Sequence, residues 1–183
     1  MIPSLPFTID NGHGESIIFK ELIREPDGDK LLLEGRVEPN CGLAMHIHYL
    51  QDEHFQVVKG TMSFVTPGTQ SANLTKGMSI TFLRNQPHKF WNGGEDVLVL
   101  DCWIKPANNA VFYLCTLYAA TKNQIKPEPN PFDGAFLGTK YQTEYAFPDL
   151  PESVKNIIIP ITYFVGRLLG KYKKFKNAPK SVK

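Results

Sequence analysis

In the first 105 residues the apolar positions form short runs, separated by residues that favour turns. Pro26-Asp27-Gly28 and Lys59-Gly60 are two such breaks, and glycine readily supplies the backbone conformations that tight turns need. Many short strands at close spacing predict an all-β sandwich or barrel. The predicted strands cover residues 16–23, 30–38, 44–49, 53–58, 61–65, 79–83, 89–92 and 97–105, whereas 1–15 and 66–76 are predicted to be largely irregular.

After residue 105 the spacing of the apolar positions becomes helical. Residues 107–121 are predicted to form a helix that packs on the outside of the barrel. Residues 122–147 are rich in proline and glycine and are predicted to be a long irregular connection over the domain. The chain is therefore divided into a β-barrel at residues 1–105 and a helical extension at residues 106–183, packed on the barrel or on a dimer partner.

A last amphipathic helix is predicted after residue 149, with a kink near Pro160. Arg167, Lys171 and Lys174 lie on its polar face. The apolar face needs a partner surface, which favours docking on the barrel or across a dimer. Adsorption to an acidic membrane surface is the alternative. The predicted apolar face contains Ile157, Ile161, Phe164, Leu168, Tyr172 and Phe175.

The composition is that of a soluble globular protein, with 42% hydrophobic and 21% charged residues. The beginning of the chain lacks the basic start and apolar run of a secretory signal, and the three cysteines lack the paired spacing of a zinc knuckle or redox motif. We therefore expect a cytoplasmic protein. The lysine-rich end alone is weak evidence for nucleic-acid binding, which is not predicted.

Strand alternation places a set of candidate ligands on one face of the barrel wall. Residues two apart in a strand share a face, so His46 and His48 project together. By the same rule Glu53 brings Phe55 and Val57 to the interior.

The strand after residue 88 follows the same alternation. If His88 points inward, Phe90 and Asn92 share its face. His54 lies next to Glu53 in sequence but falls on the opposite face, so we expect a wall or interface histidine there rather than a ligand.

Three imidazoles and one carboxylate form a mixed nitrogen and oxygen donor set. His46, His48, Glu53 and His88 would suit a divalent transition metal such as iron, manganese, nickel, zinc or copper. Calcium and magnesium prefer mostly oxygen ligands and fit less well. The sequence therefore predicts a transition-metal site and leaves the identity of the metal open.

The spacing of these residues resembles the two motifs of the cupin family. The first motif, Gly-x5-His-x-His-x3–4-Glu-x6-Gly, corresponds to Asn40 through Gly60, and the second, Gly-x5-Pro-x-Gly-x2-His-x3-Asn, to Gly77 through Asn92. Three turn positions differ from the family pattern. Asn40 and Asn85 replace glycine, which is a mild change because asparagine tolerates left-handed backbone, and Leu83 replaces proline.

The resemblance covers residues 36–104 and implies a mainly β fold, the double-stranded β-helix of the cupins, related to the jelly roll. It also implies that the four candidate ligands bind the metal and that the protein is a homodimer. The interior residues Phe55, Val57, Phe90 and Asn92 would then line a substrate pocket.

Three classes of function follow from the resemblance. The first is a dioxygenase-type oxidoreductase that acts on a small, largely apolar or aromatic enol substrate, in which Glu53 loosens from the metal and serves as a base. The apolar interior favours such a substrate over a sugar phosphate. The alternatives are a metal- or small-molecule-binding module without turnover, and a metal-dependent isomerase or hydrolase, because one fold supports many activities.

Overall fold

The computed structural model describes residues 4–183, and its architecture is mainly β with helices at the C-terminal end, as predicted. All neighbouring strands pair antiparallel. The strands are β1 Phe7–Asp10, β2 Glu15–Ile23, β3 Lys30–Val37, β4 Ile47–His48, β5 Asp52–Lys59, β6 Thr61–Val65, β7 Ala72–Thr75, β8 Ser79–Phe82, β9 Lys89–Asn92, β10 Leu98–Lys105 and β11 Tyr145–Ala146.

The strands form two main sheets that enclose the core. One has six strands in the order β1-β2-β3-β10-β5-β8, and the other has three in the order β7-β6-β9. A small sheet pairs β4 with β11. Alternate side chains of both main sheets point inward and bury the largest apolar residues, among them Phe19, Leu31, Met62, Phe82, Leu98, Leu100 and Ile104.

Two strands lie in segments predicted to be mainly irregular. Strand β1 pairs with β2, and β7 pairs with β6 across the turn at Gly68. Both are short edge strands with a mixed polar composition. Such segments gain their strand conformation from pairing with a neighbour, which a local apolar pattern does not reveal.

Three α-helices follow the barrel: α1 Ala110–Thr121, α2 Pro131–Lys140 and α3 Ile159–Leu168. Helix α1 packs on the barrel as predicted, with Val111, Leu114 and Cys115 against the core. The prediction of an irregular connection at residues 122–147 is wrong because it contains α2 and β11. The side chain of Asn130 caps α2 by accepting a hydrogen bond from the Asp133 N–H, and Pro131 begins the helix.

The last predicted helix is divided into three parts. A π-helical turn at Val154–Ile158 leads into α3 beside Pro160, where the kink was predicted, and a 3-10 turn at Lys171–Phe175 follows Gly170. Tyr172 and Phe175 of the predicted apolar face pack on the aromatic cluster around Phe136. The other members of that face, Ile157, Ile161, Phe164 and Leu168, are exposed and do not dock on the barrel.

Helices α1 and α2 share a second core that joins the extension to the barrel through β11. The buried residues of this core are Tyr113, Phe136, Leu137, Tyr141 and Tyr145. No helix within residues 4–183 combines the length and the apolarity needed to cross a bilayer.

Candidate metal centre

Backbone pairing brings the two histidine motifs together. The amide of His46 donates to the carbonyl of His88 at 2.9 Å, and the amide of His88 donates back to His46 at the same distance. His48 ends β4, and Glu53 lies near the start of β5. The four candidate ligands thus come from three neighbouring segments, two of them close in sequence and the third, with His88, 35 residues after Glu53.

The four side chains converge on one point in the interior. One donor atom from each of His46, His48, Glu53 and His88 lies within 4.8 Å of the other three, and all four residues are buried. The Nε2 atoms of His46, His48 and His88 lie 3.6, 3.5 and 3.0 Å from the same carboxylate oxygen, Oε2 of Glu53.

Backbone carbonyls orient two of the three imidazoles. The Nδ1 atom of His46 lies 2.9 Å from the Ala44 oxygen, and that of His88 lies 2.9 Å from the Gln86 oxygen. A carbonyl can only accept, so both rings carry a proton on Nδ1 and turn Nε2 toward the centre. The His88 ring is also stacked on Phe82, with ring centroids 4.0 Å apart.

Burial and neighbouring side chains shift the pKa values of His48 and Glu53. Burial lowers the pKa of His48 to about 4, and the nearby Glu53 carboxylate only partly offsets this effect. Burial alone would raise the pKa of Glu53, but the neighbouring imidazoles of His48, His46 and His88 favour the ionised carboxylate and hold that pKa well below its usual value. Glu53 is therefore an anion near neutral pH, and His48 is neutral, as metal ligands must be.

The donor set fits a transition-metal ion. Two ligand atoms that each lie about 2.1 Å from a shared tetrahedral ion are about 3.4 Å apart, and the three distances from Glu53 Oε2 to the imidazole nitrogens are close to that value. The cluster could therefore hold a divalent metal with little rearrangement, and three nitrogens with one oxygen favour a transition metal over calcium or magnesium.

An apolar cavity adjoins the cluster on the inside of the barrel. Glu53 lines it together with Phe55 and Phe90, two of the predicted pocket residues. Val57 is fully buried in the barrel core. Asn92 is also buried, and its amide nitrogen donates to the backbone oxygens of Val37 and Asp96, so this side chain braces the turn after β9.

Most of the cavity wall was not predicted from the sequence, including its second carboxylate and two residues of α1. Glu15 comes from β2, and Leu114 and Tyr118 come from α1. The Tyr118 hydroxyl donates to Glu15 Oε2 at 3.3 Å, and burial raises the pKa of Glu15. Leu114 and Tyr118 fall at helical spacing within the predicted helix at residues 107–121, whereas no local pattern indicates Glu15.

His54 lies on the outer face of β5, as strand alternation predicted. Its ring is stacked on Trp103 with centroids 5.2 Å apart, and its Nδ1 lies 2.8 Å from the hydroxyl of Thr81. His54 is therefore adjacent to Glu53 in sequence but takes no part in the cluster.

Comparisons with known proteins agree with this architecture. A family model described as a cupin domain matches residues 33–104. Over 106 residues the chain is 31% identical to oxidoreductase iacF of Pestalotiopsis fici, a match that covers 52% of this chain and 51% of the relative. The chain thus spans about half the length of that curated relative.

Two solved structures that match part of this chain are given for comparison. One is a sugar phosphate isomerase from a cupin superfamily of Silicibacter pomeroyi, which is 15% identical, with 55% of this chain and 71% of the other covered and a TM-score of 0.46. Another is KdgF of Halomonas sp., which is 16% identical, with 53% and 83% covered and a TM-score of 0.43. The family match extends from β3 to β10 and includes both histidine motifs, so this part of the chain, residues 33–104, is similar to a cupin domain.

Proposed function

We propose that the protein is a metal-dependent oxidoreductase of the dioxygenase type, acting on a small, largely apolar or aromatic enol substrate. The observation that carries this proposal is the position of the four-residue cluster against an apolar cavity. Glu53 belongs to both, and Phe55 and Phe90 form part of the cavity wall. An apolar wall with few polar groups suits an aromatic or enol compound better than a sugar phosphate, which would need basic side chains.

The proposed ligands are Nε2 of His46, His48 and His88 and a carboxylate oxygen of Glu53. A bound transition metal would supply Lewis acidity and, if it is redox-active iron or copper, reactivity with dioxygen. The chain's own contribution is to fix the imidazoles through the Ala44 and Gln86 carbonyls and to exclude water.

Glu53 is the proposed base. Within residues 4–183 its polar contacts to the histidines all use Oε2. Oε1 would therefore be the oxygen that accepts a proton from the hydroxyl of an enol substrate. Transfer of this proton would leave the substrate oxygen negatively charged, next to the point where Nε2 of His46, His48 and His88 would hold a metal cation.

Metal analysis and oxygen uptake test the proposal together. Protein purified without chelators should contain close to one transition-metal ion per chain. His88→Ala should weaken metal binding by more than about 100-fold, because loss of a ligand exceeds the usual cost of losing a residue that only supports one. His54→Ala is the matched control, since this histidine is also on the barrel wall but outside the cluster, and it should retain the metal.

The metal-loaded protein should consume oxygen with at least one member of a panel of enols, catechols and flavonols. His88→Ala should abolish that uptake, and His54→Ala should not. Absence of uptake with every metal and every substrate would refute the oxidoreductase. Tight substrate binding without conversion would instead identify a binding module.

A further inference from the structure

One face of α3 and of the π-helical turn before it is apolar and open to solvent. Phe164 is 60% exposed and Leu168 is 71% exposed. On a helical projection the exposed apolar residues form a single stripe, because they recur at spacings of three and four. This α3 stripe consists of Ile157, Ile158, Ile161, Phe164, Val165, Leu168 and Leu169.

The opposite side of α3 is already packed within the chain. Ile159 lies against Gly138 of α2, and Gly166 lies against Phe132 and Tyr172. The helix is therefore held by its inner face, and the α3 stripe points away from the barrel. A stripe of seven large apolar residues is much more than the scattered single apolar side chains that a protein surface normally carries.

The charge of this part of the chain is one-sided. Residues 153–183, the basic segment, contain eight of the chain's twenty basic residues and none of its eighteen acidic ones. Within residues 4–183, only Lys155 and Lys174 of the basic segment form ion pairs, with Glu152 and Asp133. The eight basic residues are Lys155, Arg167, Lys171, Lys173, Lys174, Lys176, Lys180 and Lys183.

The fold keeps these charges close to one end of the stripe. Gly170 ends α3 with a left-handed conformation, and the following 3-10 turn folds back onto the helix. Tyr172 stacks on Tyr163 with ring centroids 5.1 Å apart, and Phe175 stacks on Phe136 of α2 at 4.2 Å. The lysines of residues 171–176 are thus presented on a packed turn next to the exposed apolar residues.

We propose that the α3 stripe and the basic segment bind the surface of a membrane that contains anionic lipids. The apolar side chains would enter the boundary between headgroups and acyl chains, and the lysines would pair with lipid phosphates. Such binding needs both signals, an apolar face and a positive charge, and both are present here on one helix and the turn that follows it.

Charge favours this occupant over a second copy of the chain. A two-fold contact through the α3 stripe would place two basic segments side by side, and like charges brought together oppose association. An anionic lipid surface attracts the basic segment instead, because each lysine near it adds to the free energy of binding. The proposal is independent of the activity proposed for the metal centre.

Vesicle flotation with the full-length protein tests the proposal. We expect the protein to float with vesicles of phosphatidylcholine and phosphatidylglycerol and to stay behind with phosphatidylcholine alone. Phe164→Glu combined with Leu168→Glu should reduce binding at least about tenfold, because both side chains would have to enter the lipid interface as charged groups. Ile125→Glu, a fully exposed position in the α1–α2 connection, is the matched control and should bind normally.

A second double variant tests the role of the lysines and gives a result even if the first variant fails to fold. Lys173→Gln with Lys176→Gln should lower binding to the anionic vesicles about tenfold or more, because each lysine near an anionic surface contributes about 1 kcal/mol. Lys59→Gln with Lys76→Gln in the barrel is the control and should bind normally. Circular dichroism verifies that each variant is folded.

Three results would overturn the proposal. The first is no binding to the anionic vesicles even at low salt. The second is binding that survives the two glutamates and is lost with salt, which would mean a simple polyanion site on the lysines. The third is a dimer in light scattering that becomes a monomer in the Phe164→Glu, Leu168→Glu variant, because a second copy would then cover the α3 stripe.

Discussion

Two asparagines hold left-handed backbone at turns that flank the metal centre. Asn40 has φ 61° and Asn85 has φ 66°, and these are the positions where the sequence motif has glycine. Asparagine adopts this region more easily than other residues with a Cβ. The Asn85 amide donates to the His48 carbonyl at 2.7 Å, so this turn contributes directly to the position of a candidate ligand.

The mismatch at Leu83 is also accommodated locally. Its amide donates to the Gln86 side-chain oxygen at 3.1 Å, and the Gln86 amide donates back to the Leu83 carbonyl at 3.0 Å. The turn thus closes without the proline of the family pattern. Leu83 itself is exposed, so the substitution introduces no steric conflict.

Glu15 makes a pH-dependent contribution to stability that can be measured. Burial raises the pKa of Glu15 above its ordinary value, so the unfolded chain loses this proton more readily than the native one. In the wild type, the raised pKa of Glu15 adds to the free energy of unfolding. This contribution is fully present below pH 4.5, the ordinary pKa of the group, and is lost as the pH rises through the higher native pKa. Glu15→Gln keeps an acceptor for Tyr118 but cannot ionise.

We expect Glu15→Gln to be more stable than wild type at pH 8 by on the order of 1 kcal/mol, or about 2–4 °C in Tm. At pH 4 the difference should disappear. Thermal unfolding by circular dichroism at both pH values, with the proteins in the same metal-loading state, measures it. Glu128→Gln, at an exposed position, is the control, and a gain that did not change with pH would contradict the explanation.

At the scale of elements, Gly42 sets how closely the segment before β4 approaches β9. A Cβ at this position would lie 2.4 Å from the Phe90 carbonyl oxygen and 2.4 Å from the Trp91 Cα. Both are backbone atoms, and Trp91 is bridged to Gly42. Relief of this contact would require β9 to move, and β9 begins directly after His88.

Gly42→Ala is therefore expected to destabilise the protein by about 3 kcal/mol, at the upper end of the range for an overpacked site. It should also weaken metal retention, because His88 would move with β9. Gly35→Ala in β3 is the control, since the nearest atoms would lie at an ordinary 3.8 Å. Urea unfolding and metal analysis compare the two, and equal stability of the two variants would show that β9 adapts freely.

The elements that were predicted correctly are those whose own residues show a clear strand or helix pattern. Strands with alternating apolar residues, such as β5 and β10, and helix α1 with its apolar stripe were predicted nearly to their ends. Helix α2 was missed because Gly134, Gly138 and the prolines before it disfavour a helix. The structure tolerates both glycines because they give close contacts, Gly134 with Pro129 and Gly138 with Ile159.

For the molecule as a whole, the barrel and the helical extension share the cavity beside the metal centre. Leu114 and Tyr118 of α1 complete a wall that β-strands alone leave open. The motif spacing could predict the four clustered residues because each motif is short. It could not predict Glu15 or Tyr118, which lie about 25 residues outside the motifs and reach the cavity only through the tertiary fold.

A buried glutamate ties the end of the chain back to the barrel. Glu144 is fully buried, and its Oε1 accepts hydrogen bonds from the side chain of Asn109 at 2.6 Å and from the amide of Val182 at 2.9 Å. Its Oε2 accepts from Gln51 at 3.3 Å. One carboxylate thus joins the start of α1, the segment before β5 and the C-terminal residues.

Glu144→Ala should leave two buried side-chain donors, Gln51 and Asn109, and the partly buried Val182 amide short of a partner and cost about 3 kcal/mol. The expected local effect is release of the chain after Lys176, because the Val182 amide loses its acceptor. Trypsin should then cut after Lys176 and Lys180 at least about tenfold faster, which corresponds to about 1.4 kcal/mol of easier local opening. Mass spectrometry follows the cleavage, and Glu128→Ala in the exposed α1–α2 connection is the control. Equal cleavage in both variants would mean that contacts other than Glu144 hold the C-terminal residues, with the Tyr141 hydroxyl bond to the Pro179 carbonyl as the next candidate.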